Sequence, residues 1–283
     1  MIHVPVLHKS IEKRWKHIKD NSYSKNTADK VTVAISKNKL NKCKRVNKLR
    51  YFLVLAYLRK NVTSLGRINL TIDDMVSDCG YVPDSHPNKT NDSFKNLLQN
   101  LIDGKYLACN CDITKVNRNK MFTLELTSDK EHNLFYSDTS FVLLSIAEFD
   151  KITKCKSKIN KAVLLAVYLS IKQYITIDGT VPDSYSKVAY PSKYGIQKRL
   201  GISSKTTVEK AIQKLVELHM LYEYVGGYYL DSQDLFEPTN NGYALSEKEI
   251  NGAENALKQY YHVDKIYKYN EIDVERLKYP NRK

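Results

Sequence analysis

The sequence predicts a mixed α+β chain in which one plan of elements occurs twice. Three observations lead there: two similar apolar helices, two amphipathic helices with superposable stripes, and strand-like alternation after each stripe. The first apolar helix is LRYFLVLAYLRK at 49–60, and the second is KAVLLAVYLSIK at 161–172. Ala56-Tyr57-Leu58 falls on Val167-Tyr168-Leu169 when the two are aligned.

After each apolar helix comes a short helix closed by glycine. The first is TIDDMVSDCG, with Ile72, Met75, Val76 and Cys79 at helical spacing. The second is SKYGIQKRLG, where Ile196 and Leu200 take the places of Met75 and Cys79. Gly80 and Gly201 stand where a helix end favours a left-handed residue. The amphipathic helix then follows. NDSFKNLLQNLIDGKYL carries Phe94, Leu97, Leu98, Leu101 and Ile102, and TTVEKAIQKLVELHMLY carries Val208, Ala211, Ile212, Leu215 and Val216 at one constant offset. Asn91, and Ser203 or Thr206, are the expected N-caps.

Strand-like sequence closes each repeat. The first hairpin is expected from 106–111 and 121–126, where Phe122, Leu124 and Leu126 alternate with polar residues. The second is expected in LYEYV-GG-YYL, with Gly226-Gly227 as a two-residue turn. Helix, helix–turn–helix, two-stranded wing is the winged-helix order, so the expectation is two tandem winged-helix domains. Their bounds are 31–135 and 136–240, with a basic N-terminal arm at 1–30 and a C-terminal helix and basic tail at 241–283. A strand is expected near 141–146, a basic helix near 11–18, and one helix after Ser246 with a Ser246/Glu249 capping box. The two helices of the pair are close in the second repeat but separated in the first by YVPDSHPNKTND.

A net charge of +14 over 283 residues points to a polyanionic partner, nucleic acid first and an anionic membrane surface second. No segment approaches the roughly 20 apolar residues of a membrane span, and the N-terminal apolar stretch is soon broken by charge. The expectation is a cytoplasmic chain with no membrane association. Cys43, Cys79, Cys109, Cys111 and Cys155 are scattered and odd in number, which reads as reduced thiols. Cys109 and Cys111 share a strand face, but no second pair completes a zinc site.

Within this plan the stripe-bearing helix is the one that enters a major groove, presenting its non-core face to base edges. In the second repeat that face and its entry offer Ser204, Lys205, Thr206, Thr207, Lys210, Gln213 and Lys214. Gln can pair with an adenine edge, and short hydroxyls suit phosphate. In the first repeat the face offers Lys89, Thr90, Asn91, Ser93, Lys95 and Asn96, and the hairpin tip adds Lys115, Arg118 and Lys120. The densest basic run includes Lys42, Lys44 and Arg45 just before the first helix, with a weaker copy, KITKCKSKINK, before the second. The second wing, with only Gly226, Gly227 and Tyr228, is expected to pack or to make one backbone contact.

Signatures of catalysis are missing. There is no GxxxxGK[ST] loop and no GxGxxG fingerprint. His3, His8, His17, His86, His132, His219 and His262 never flank a single apolar residue as a metal-holding pair would. Asp73-Asp74 are adjacent on a helix and suit N-terminal capping, and neither Tyr260 nor Tyr261 has a supporting base or Arg cluster. The expectation is a non-enzyme with no cofactor.

From INKAVLLAVYLSIK through YGIQKRLGISSKTTVEKAIQKLVELHMLY to the Gly-Gly segment, the chain resembles the winged-helix modules of plasmid and phage replication initiators, or replisome organisers, of low-GC Gram-positive mobile elements. The resemblance covers 31–235 loosely and 160–230 best. It implies double-stranded origin DNA with direct repeats as ligand, and a host helicase or helicase loader as protein partner. A monomer on DNA is compatible with two such modules in one chain. A transcriptional regulator or conjugation accessory DNA-binding protein shares these motifs, and a winged-helix protein-interaction scaffold is the reading from a different class.

Overall fold

The computed structural model describes residues 32–36, 46–127, 141–175 and 187–272. The fold is mixed helix and sheet, and the chain divides into two compact units. Unit 1 takes Met1–Ile35, Arg50–Asp138 and Leu143–Cys155, and unit 2 takes Ser36–Leu49, Thr139–Val142 and Lys156–Lys283. Residues 143–155 therefore group with unit 1, although the sequence boundary at 135/136 placed them in the second domain.

After strand β1 (Thr32–Ser36), helix α1 spans Val46–Asn61, and its residues 52–58 are buried in unbroken succession. A helix apolar all round needs cover on every side, which is what this run has. Strand β2 (Arg67–Leu70) alternates, with Ile68 and Leu70 inside. Helix α2 (Ile72–Asp78) is capped by the Thr71 side chain, which accepts from the Asp74 N–H. It ends at Cys79, and Gly80 follows at φ 81°, the left-handed position the sequence assigned to it. Helix α3 (Thr90–Asp103) buries Phe94, Leu98 and Leu101. Strands β3 (Leu107–Cys109) and β4 (Phe122–Leu126) flank a short 3-10 turn at Ile113–Lys115. The sheet order is β2-β4-β3, antiparallel throughout, with Ile68 opposite Leu124 and Leu107 opposite Leu126.

Strand β5 (Phe141–Ser145) pairs with β1 and runs into helix α4 (Ile146–Lys154). The basic KITKCKSKINK run is thus partly helical. The entry to α4 is a capping box: the Ser145 hydroxyl accepts from the Glu148 N–H, and the Glu148 carboxylate accepts from the Ser145 N–H. In unit 1 Asp150 of α4 meets Lys60 of α1 at 2.8 Å and Lys154 at 2.8 Å.

Unit 2 repeats the plan. All twelve residues of helix α5 (Lys161–Lys172) are buried. Helix α6 (Lys193–Leu200) is capped by Ser192 and stopped by Gly201 at φ 62°. Helix α7 (Lys205–Glu217) buries Val208, Ala211, Ile212 and Leu215 of the stripe read from the sequence, while its fifth member, Val216, is half-buried. Strand β6 (Tyr222–Tyr224) pairs with β9 (Gly242–Ala244), and β9 bridges to Ala189. The order Ala189, β9, β6 matches β2-β4-β3 of unit 1.

Three expectations are corrected. Gly226-Gly227 is not a hairpin turn. Strand β7 (Tyr228–Leu230) pairs with β8 (Phe236–Pro238) instead of β6, and neither glycine has positive φ, which a type I′ turn needs at both positions. These glycines are sites of close approach: a Cβ would collide with Thr239 and Asn240 at Gly226, and with the Tyr267 carbonyl at Gly227. The segment after Ser246 is two helices, α8 (Glu247–Ile250) and α9 (Ala253–Tyr261), interrupted at Asn251-Gly252 where helix propensity is low. The N-cap positions are Lys89 and Ser204, neither with a side-chain cap bond, rather than Asn91 and Ser203 or Thr206. The arm at 1–30, including the helix expected near 11–18, lies outside the described residues.

Candidate nucleic-acid interface

In unit 2, burying the α7 stripe leaves the opposite face to solvent. Thr206, Lys210 and Gln213 are exposed, and their side chains make no hydrogen bond or ion pair among the described residues. Their spacing of four and three residues puts them on one face. Lys205 is exposed and lies 3.9 Å from Glu209, a loose surface pair. Ser204 and Thr207 are half-buried, and Thr207 donates its N–H to the Ser204 carbonyl. Lys214 is held by Glu217 at 2.9 Å.

The partner helix α6 adds a residue the sequence reading missed. Tyr194 is 64% exposed in its first turn, beside Lys193, whose ammonium is 3.8 Å from Glu223. The available signal was its place off the Ile196/Leu200 stripe, since an aromatic ring there has no core to enter.

Unit 1 differs. Asn91 is buried: its side-chain carbonyl accepts from the Asp84 N–H at 2.9 Å, and its amide donates to Asp73 at 2.7 Å. It joins the long loop to α2 and is withdrawn from the surface. Ser93 accepts from the Arg50 guanidinium at 2.6 Å, and that guanidinium also lies over the Tyr81 ring. Lys95 donates to the Val116 carbonyl at 2.7 Å and to that of Thr114 at 3.4 Å. The 3-10 turn thus lies against α3 and takes up part of the face expected to read bases. Thr90 is half-buried, while Lys89 and Asn96 are exposed.

The loop cations of unit 1 are more open. Lys115 is exposed with Asp112 at 3.2 Å, Arg118 lies 3.5 Å from Asp73, and Lys120 is exposed. The Asp112 carboxyl is held below its ordinary value by hydrogen bonds from Thr114 and Lys115. Lys42, Lys44 and Arg45 lie outside the described residues.

Charge is unevenly spread along the chain. Residues 1–60 hold sixteen Lys and Arg against three Asp and Glu. Residues 161–221, which contain α6 and α7, hold nine against four, whereas 222–272 hold four against nine. The β7–β8 hairpin turns through Asp231 and Asp234, and Glu237 is exposed on β8. Those carboxylates repel phosphate, so this hairpin is no counterpart of the cationic loop in unit 1.

Among the described residues no three His, Cys, Asp or Glu side chains gather to hold a metal ion, and no helix is long and apolar enough to cross a membrane. No family model matches the chain, and no curated protein matches it.

Proposed function

We propose that the chain binds duplex DNA sequence-specifically through two tandem winged-helix domains, and that it serves initiation of replication at an origin with direct repeats. One observation carries this reading. Helix α7 follows α6 across a left-handed Gly201 and presents Thr206, Lys210 and Gln213, unengaged and solvent-facing, within a basic stretch. The repeated order of elements and the similar antiparallel strand order within each unit support the winged-helix assignment. The replication role rests on the sequence resemblance, which also implies a host helicase or its loader as partner.

The two units divide the work. Unit 2 reads bases through α7, with Tyr194 placed for a phosphate contact. Unit 1 contributes Lys115, Arg118 and Lys120 to the sugar-phosphate backbone, because Asn91, Ser93 and Lys95 are committed within its own fold. Footprinting of the DNA flanking the gene with purified full-length chain tests this directly. The expected result is protection of direct repeats at nanomolar protein. Uniform binding to every duplex offered would sink sequence-specific recognition.

A further inference from the structure

The loop that carries the unit-1 cations starts at a pair of thiols. Strand β3 ends at Cys109, the chain bends through Asn110 and Cys111, and Asp112 opens the 3-10 turn. The bend brings the sulfurs to 3.3 Å, with Cys111 exposed and Cys109 half-buried. A zinc site needs more ligands than these two. Two adjacent, solvent-reachable thiols have another chemistry available.

The geometry points to Cys109 and Cys111 as a reversible dithiol/disulfide site, oxidised by a small-molecule disulfide of the glutathione class. In the first step one sulfur of the pair, once deprotonated, attacks one sulfur of the oxidant. A mixed disulfide forms, and one small thiolate leaves and takes up the proton that this cysteine gave up. In the second step the other cysteine sulfur attacks the protein sulfur of the mixed disulfide. The protein disulfide forms, the second small thiolate leaves, and the proton of the second cysteine goes to it. Two protein thiols are oxidised and one small disulfide is reduced to two thiols.

The two thiols feel each other. Burial, then the hydrogen bond and charge of Cys109, push the Cys111 thiol up to about 11, while Lys120 pulls it the other way. The remaining described cysteines differ. Cys79 is buried, and burial and the neighbouring Asp78 raise its thiol, while Cys155 stands alone in sequence and is half-buried.

The test uses the full chain in a Cys43→Ser, Cys155→Ser background, treated with oxidised glutathione and read by intact mass and peptide mapping. The expected product is two hydrogens lighter, carries no glutathione, joins Cys109 to Cys111, and returns to the dithiol with dithiothreitol. Adding Cys111→Ser should stop the reaction at a stable glutathione adduct on Cys109. Both thiols surviving, or one adduct on each, would overturn the proposal. So would a two-hydrogen decrease in which peptide mapping joins Cys109 or Cys111 to Cys79. None of these readouts depends on DNA binding, so the site stands or falls apart from the proposed function.

Discussion

If α7 reads DNA as proposed, side chains on its two faces have separable roles, and substitution distinguishes them. Replacing Lys205, Thr206 and Gln213 with Ala leaves the buried stripe intact, so the melting temperature should hardly move. Removing a side chain that bonds a base edge should weaken specific binding by about 1–3 kcal/mol, measured by fluorescence anisotropy on the footprinted site. A triple variant that binds like the parent would remove α7 from the interface. By contrast, Ile212→Asp puts an unpaired charge where Ile212 is 1% exposed, and unfolding of unit 2 by circular dichroism is expected. The stripes were legible because burial imposes a period of 3.6 on apolar residues. Asn91 was not legible, because its partner Asp73 lies eighteen residues away and leaves no periodic trace.

Pairings between elements set two further expectations. Burial alone would raise the Asp150 carboxyl, but hydrogen bonds from Lys154 and Lys60 outweigh it and hold it below its ordinary value. A carboxylate depressed in the folded state stabilises above the ordinary Asp value of about 3.9 and ceases to as pH falls through the folded value. Asp150→Asn should therefore cost roughly 1 kcal/mol at neutral pH, and the difference from the parent should shrink below about pH 4 in urea titrations. An equal difference at both pH values would contradict the Lys60–Asp150–Lys154 link. At Gly227 a methyl group would meet the Tyr267 carbonyl, so Gly227→Ala should destabilise by about 1–3 kcal/mol, seen as a lower thermal midpoint. Two adjacent glycines between strand-like runs are a strong local hairpin signal. Here β6 and β7 instead take their partners, β9 and β8, from later in the chain.

Across the whole molecule the proposed DNA binding should follow the charge distribution. If the basic segments meet about six to ten phosphates, affinity should fall roughly 10³–10⁵-fold between 50 and 200 mM salt. A flat salt titration would exclude the nucleic-acid reading. Two helices reading adjacent major grooves would specify roughly 20 bp. With the α3 face of unit 1 engaged by its own 3-10 turn, base-specific recognition should instead be confined to one groove, about half that length, and should be non-palindromic. Methylation interference on the footprinted repeat checks this. A second, dissimilar cluster of interfering guanines in the adjacent major groove would show that α3 reads bases after all.

The sequence by itself determined the repeated helices, their buried stripes and the glycine stops, because each follows from a local rule of period, propensity or backbone conformation. It also placed Thr206, Lys210 and Gln213 opposite the apolar face of α7. Only the tertiary structure decided that Asn91, Ser93 and Lys95 turn inward, that β6 bypasses its neighbour for β9, and that the Cys109 and Cys111 sulfurs meet. The physical reason is common to all three. A polar group or a strand edge is satisfied by whatever partner the fold brings near, and neither sequence distance nor hydrophobic period records that partner.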